Sequence, residues 1–179
     1  MNVQAAPPTS GATVANAAEA TRADRSDFIS FAIGDEQYGV DIMAVREIKG
    51  WSNATHLPNQ PHYVRGVLNL RGVMVPIVDL RCRFGQGHTE ATPMHIVIIV
   101  QIEGRQIGLL ADRVLDIVSF EPAQVQPVPR ITNSARINFL AGLITIESVM
   151  LALIDLPNLL AVQIDDGEGA ITQPTTAAV

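Results

Sequence analysis

The sequence predicts a mainly all-β protein made of two similar small barrels related by a pseudo-two-fold, with only short helices. Three observations predict it. Short apolar runs are broken by turn residues at close intervals. Helical periodicity never lasts beyond a turn or two. The chain also repeats itself once.

Residues 28–33 (FISFAI) read as a strand that stops at Gly34-Asp35, and Tyr38-Gly39-Val40 resumes it. Residues 67–70 and 73–78 flank Arg71-Gly72 as a hairpin. Residues 94–102 and 106–110 flank Glu103-Gly104-Arg105 in the same way, and 142–146 and 149–154 flank Glu147-Ser148. Short helices are expected over 42–48, 80–84, 113–117 and 157–162. Asp79 and Asp155 each stand between a strand and one of these helices, where a carboxylate accepts from the free backbone N–H groups of the first turn. They read as N-caps, and Pro157 suits the position that follows.

The repeat aligns residues 37–48 (QYGVDIMAVREI) with 106–117 (QIGLLADRVLDI) at a shift of 69, and 66–80 (GVLNLRGVMVPIVDL) with 142–156 (GLITIESVMLALIDL) at a shift of 76. The extra residues fall in Pro-containing connections, where insertion costs little. Apolar positions match between the copies, as a shared core requires, but the tip Arg71-Gly72 becomes Glu147-Ser148. A reversed charge at a solvent-exposed tip points to different partners for the two tips, or to use of only one. The ends differ from this middle. Residues 1–26 and 165–179 are rich in small and polar types without period and read as disordered tails. The folded part is then 27–164. It divides at about 27–92 and 93–164, with the terminal strands free to exchange between halves.

Composition narrows the function. Of 179 residues 47% are hydrophobic and 17% charged, enough to bury a core. No apolar run approaches the roughly 20 residues of a membrane helix, and no secretory leader is visible. A single Cys82 excludes an intrachain disulfide framework, so a cytoplasmic protein is expected. Net charge −6 argues against nucleic acid as partner. The four histidines lack metal-ligand spacing, and no nucleophile elbow or phosphate loop is present. Cys82 reads as packed in a short helix, although Arg81 and Arg83 would lower its pKa if it were exposed.

Two features point to docking instead. Arg65, Arg71, Arg81 and Arg83 form a positive island opposed locally only by Asp79, which suits carboxylates on a partner or, alternatively, ion pairs with Glu47 and its neighbours. Trp51, between Gly50 and Ser52-Asn53, reads either as an exposed interface anchor or as a cover over one end of the first barrel.

Residues 31–42 (FAIGDEQYGVDI), 46–50 (REIKG) and 65–81 (RGVLNLRGVMVPIVDLR), with 108–116 (GLLADRVLD) and 141–143 (AGL), resemble the bacterial chemotaxis coupling proteins of the CheW family over about 27–162. The resemblance implies two SH3-like five-stranded barrels, no catalysis and no cofactor. It implies an adaptor that joins the regulatory domain of the histidine kinase CheA to the cytoplasmic hairpin tip of methyl-accepting chemoreceptors, recruited to receptor arrays at the inner membrane without entering it. Carried over by position, Val45, Glu47, Arg65, Gly66 and Arg71 face the receptor, and Ile48, Trp51 and Leu57 face the kinase. In arrays the second barrel meets a neighbouring kinase domain. A coupling protein of a non-chemotaxis pathway, for surface motility or second-messenger control, fits the same residues.

Overall fold

The computed structural model of the chain describes residues 25–129 and 135–160. Ten strands carry the fold: β1 (Ser26–Ile33), β2 (Glu36–Asp41), β3 (Val45–Gly50), β4 (Val64–Leu70), β5 (Val73–Asp79), β6 (Ile96–Ile102), β7 (Arg105–Ala111), β8 (Arg113–Phe120), β9 (Leu140–Ile146) and β10 (Val149–Ile154). Helices α1 (Leu80–Arg83) and α2 (Leu156–Leu160) follow β5 and β10, and 3-10 turns occupy Ile42–Ala44, Pro122–Gln124 and Ala135–Phe139. Among the described residues no helix is long and apolar enough to cross a membrane. The expected tails at 1–26 and 165–179 lie outside the described residues, except that Ser26 opens β1.

Two five-stranded sheets form, in the orders β8-β1-β2-β10-β9 and β3-β6-β7-β5-β4. Replacing each strand by its repeat equivalent (β1 by β6, β2 by β7, β8 by β3, β10 by β5, β9 by β4) turns one order into the other. The second sheet is an uninterrupted stretch of chain from β3 to β7, inserted between β2 and β8 of the first. Each sheet thus draws strands from both halves of the chain. A division between 92 and 93 marks the sequence repeat, but it cuts through the second sheet between β5 and β6.

The exchange is sealed by two parallel pairings in equivalent register. Gly39 of β2 lies opposite Leu153 of β10, and Gly108 of β7 lies opposite Ile77 of β5. Glycine is required there by space. A Cβ on Gly108 would sit 2.4 Å from Ile77 Cδ1, and one on Gly39 would be 3.2 Å from the Cδ2 atoms of Leu151 and Leu153.

Each sheet also curls until its two outer strands meet. Thr55, just past β3, exchanges two backbone hydrogen bonds of 2.9 and 2.8 Å with Val67 of β4. Gln126, just past β8, does the same with Leu143 of β9 at 2.8 and 2.9 Å. Gly66 and Gly142 precede these bridges. A Cβ on Gly66 would stand 2.2 Å from the Thr55 carbonyl oxygen, and Gly66 has φ +131, a conformation side-chain-bearing residues avoid.

Three cores result. Leu68, Val75, Ile77, Val97, Ile99 and Leu110 fill the inside of the β3–β7 sheet, and Phe120, Ile144, Leu151 and Leu153 fill the other. The largest lies between the sheets and includes Phe31, Tyr38, Ile98, Val100, Leu109, Leu156 and Leu159. It holds seventeen buried side chains, each contributing about 1.5–3 kcal/mol on burial, so the sheets are one cooperative unit.

Arg83 marks the pseudo-two-fold. Its guanidinium lies 4.3 Å from the ring centres of both Tyr63 and Phe139 and donates to the carbonyl oxygen of Leu159 at 3.2 and 3.3 Å. By the shift of 76, Phe139 is the repeat equivalent of Tyr63 and Leu159 that of Arg83 itself. Both expected caps form. Asp79 accepts from the Cys82 N–H at 3.2 Å, and Asp155 accepts from the Asn158 N–H at 3.0 Å.

The expected helices are partly corrected. Helix α1 covers 80–83, and α2 covers 156–160 of a helix expected over 157–162, whose last two residues lie outside the described part. Over 42–48 only Ile42–Ala44 turns, and β3 begins at Val45. Residues 113–117 are not helical but belong to β8, paired with β1 through Val114–Phe31 and Ile117–Ile29. A partner strand from the opposite end of the chain outweighs a weak local preference.

Candidate docking surfaces

The first candidate surface centres on β3 and the β4–β5 tip. A bulge between Val45 and Glu47 shifts the alternation of β3 against β6. Val45 and Ile48 lie opposite Val100 and Ile98, which belong to the core between the sheets. Glu47 lies opposite Ile99, on the inner side of its own sheet. From there its Oε2 accepts from Arg71 Nη2 at 2.7 Å. The pair joins an outer strand of the sheet to the hairpin at its other edge. The Arg71 side chain is 86% exposed, so this ion pair fixes orientation more than it stabilises. Arg71 and Gly72 have φ of 52 and 89, the two left-handed residues of a tight hairpin turn, and the Asn69 side-chain oxygen accepts from the Gly72 N–H at 2.8 Å.

The other residues of this group are placed differently. Arg65 is half-buried, with Nη1 3.8 Å from Asp79 Oδ2. Asp79 is fully buried and also accepts from the N–H and hydroxyl of Thr89 at 2.9 and 2.7 Å. Gly66 is buried and serves the sheet closure described above. The positive island is therefore dispersed. Arg65 faces Asp79, Arg71 holds Glu47, Arg81 donates to Asp112 at 2.7 Å, and Arg83 sits between two rings. Only Arg71 presents its guanidinium broadly to solvent.

Among Ile48, Trp51 and Leu57, Ile48 is the exposed one at 40%, while Trp51 and Leu57 are half-buried. Trp51 packs against the inner core of the β3–β7 sheet, and its N–H donates to the His95 carbonyl at 2.8 Å. It is the cover over one barrel end. Since Val45 and Ile48 share one face of β3, the residues assigned to two different partners are neighbours there.

Sequence reasoning missed a second, duplicated surface. Met74 and Met150 occupy equivalent positions on β5 and β10 and are 64% and 61% exposed, each beside a partly exposed valine, Val73 or Val149. The signal was present in the repeat, where Val-Met recurs at the shift of 76. Met150, Leu143, Ala152 and Leu140 line an open groove of about 660 Å³, whose polar side is Glu36 and Arg136.

The titratable groups are committed to structure. Burial alone would raise the Asp112 carboxyl, but the Gly34 N–H and Arg81 outweigh it and hold it below the usual carboxylate range. Burial lifts the Cys82 thiol, and the Asp79 charge lifts it further. This reverses the expectation that Arg81 and Arg83 would lower it, because both turn away to other partners. Burial likewise raises the Tyr38 hydroxyl, whose proton is donated to Glu36 at 2.9 Å. Among the described residues no group of three or more His, Cys, Asp or Glu is placed to hold a metal ion.

The CheW-like domain family matches residues 27–163. The chain belongs to that family. It is 42% identical over 141 residues to the chemotaxis protein CheW of Rhizobium meliloti, covering 79% of this chain and 91% of that one. It is 37% identical over 135 residues to the chemotaxis protein CheW of Klebsiella aerogenes, covering 75% and 81%. The crystal structure of the scaffolding protein TtCheW from Thermoanaerobacter tengcongensis superposes with TM-score 0.69 at 30% identity, covering 75% of this chain and 86% of that one.

Proposed function

We propose that this CheW-family chain is a chemotaxis adaptor that couples the regulatory domain of CheA to the cytoplasmic tip of methyl-accepting chemoreceptors, without catalysing a reaction itself. The observation that carries the reading is the coexistence, on a family-matched scaffold, of a charged edge at Glu47–Arg71 and an apolar surface around Met74. A receptor tip is a helical hairpin. One helix of it, laid along β3, meets Val45 through its apolar stripe and Arg71 through an acidic neighbour. Arg65 and Gly66 support that edge from β4. The kinase meets Ile48, Leu57 and the outer face of the β4–β5 hairpin, with Trp51 holding the sheet beneath.

Binding both partners at once couples them, provided that at least one contact differs in free energy between the receptor's signalling states. The chain then works in the cytoplasm, gathered at receptor arrays beneath the inner membrane.

Arg71→Glu tests the receptor surface. It places two carboxylates side by side at the β3 edge and is expected to weaken receptor binding about tenfold, roughly 1.4 kcal/mol, with thermal stability and kinase affinity preserved. Unchanged receptor affinity would overturn the assignment. For the kinase surface Ile48→Lys is the cleaner probe, because removing Trp51 also opens a core.

A further inference from the structure

All four methionines of the described residues are exposed: Met43, Met74, Met94 and Met150, by 61–83%. Methionine is ordinarily a core residue. The only cysteine, Cys82, is 7% exposed, capped into α1, with its thiol held protonated by burial. The sulfur chemistry of this chain that solvent can reach lies on thioethers.

Two of those thioethers are at repeat-equivalent sites within apolar surroundings. Met74 is on the same side of β5 as Pro76, which lies opposite Val67 on β4. Met150 is on the same side of β10 as Ala152, which lies opposite Leu143 on β9, at the open groove. A flexible, polarisable side chain at the centre of an apolar surface adapts to a partner's relief, and it also has a chemical liability. Its sulfoxide is polar and chiral and is poorly accommodated in an apolar contact.

We propose that Met74 and Met150 are oxidation sites that set the strength of docking at these two surfaces, with peroxide as the oxidant. The sulfur lone pair attacks one peroxide oxygen, the O–O bond breaks and an S–O bond forms. The second oxygen takes up the transferred proton and leaves as water. The sulfur is oxidised by two electrons and the peroxide reduced by two. A methionine sulfoxide reductase of each epimer specificity reverses the change. The inference rests on the reading of the Met74 surface as the kinase contact.

The test uses the full chain, hydrogen peroxide, and the regulatory domain of the kinase. A peptide mass map after mild treatment is expected to show one added oxygen on Met74 and on Met150, with Cys82 unmodified. Affinity for the kinase domain is expected to fall about tenfold, the cost of placing a polar group in an apolar contact. The double variant Met74→Leu, Met150→Leu, which conserves volume, is expected to bind like the untreated chain and to keep its affinity after peroxide. Met43→Leu, Met94→Leu is expected to stay peroxide-sensitive. Oxidation of both target methionines without loss of affinity would overturn the inference, as would equal peroxide sensitivity in the Met74→Leu, Met150→Leu variant. Failure of the untreated chain to bind the kinase domain would instead sink the docking reading, and the mass map would still decide which sulfurs react.

Discussion

The hairpins β4–β5 and β9–β10 are the same structure with different tips. Leu68, Val75 and Ile77 of the first fill one inner core as Ile144, Leu151 and Leu153 fill the other, at a constant shift of 76. At the tips the likeness ends. Arg71 reaches Glu47 across the sheet edge, whereas the equivalent positions are Glu147 and Asp116, two acids that cannot pair. Gly72 becomes Ser148, a non-glycine residue at φ 73. Packing was kept in both copies and the exposed charge was changed in one. The comparison teaches that the duplicated scaffold is a constraint of folding, while the difference between tips is where partner choice is written.

Substitutions sharpen the contrast. The largest effect is expected at the closure glycines. Gly66→Ala drives a Cβ into a backbone oxygen and forces an unfavourable φ, and should cost about 3 kcal/mol or more in denaturant unfolding. Gly142→Ala meets a Val125 methyl group at 2.4 Å, with no positive φ, and should cost about 1–2 kcal/mol because a side chain yields more readily than backbone. Equal losses would mean that the two closures are energetically alike. Arg83→Ala, which empties the pseudo-two-fold of its ring-stacked cation, is expected to lower stability by about 2 kcal/mol in the same measurement. A neutral result would leave the shared core alone in joining the sheets. The smallest effect is at the second tip. Ser148→Gly should raise the melting temperature slightly, by about 0.5–1 kcal/mol of relieved strain, and Gly72→Ser should do the reverse at the first.

Much of this architecture could be read from the chain. The strand runs, the hairpin at Arg71-Gly72 and the capping aspartates are local features, and local chemistry determines them. The repeat carried the pseudo-symmetry. What escaped was set by residues far apart in sequence. Nothing near 113–117 announces β1 as its partner, so the short apolar pattern was open to a helical reading. The arginine island looked unopposed because Asp112 and Glu47 approach it only in the folded chain. Val45 and Ile48 were given to different partners, and the bulge in β3 places them on one face. The Met74 and Met150 surfaces were legible in the repeat but passed for core, since hydrophobic type alone does not tell the inner side of a hairpin from the outer.

The insertion of β3–β7 between β2 and β8 has a consequence for biogenesis. During synthesis the first two strands leave the ribosome with no sheet of their own to join, because three of its five members are made last. The inserted sheet, in contrast, has all its strands once Ala111 has emerged, and it can offer β1 and β2 an apolar face to rest on while they wait. Nascent chains halted shortly after residue 111 should therefore already protect β6 and β7 from protease while Leu153's place beside Gly39 stands empty, and the long-range closure that follows sets the pace of maturation.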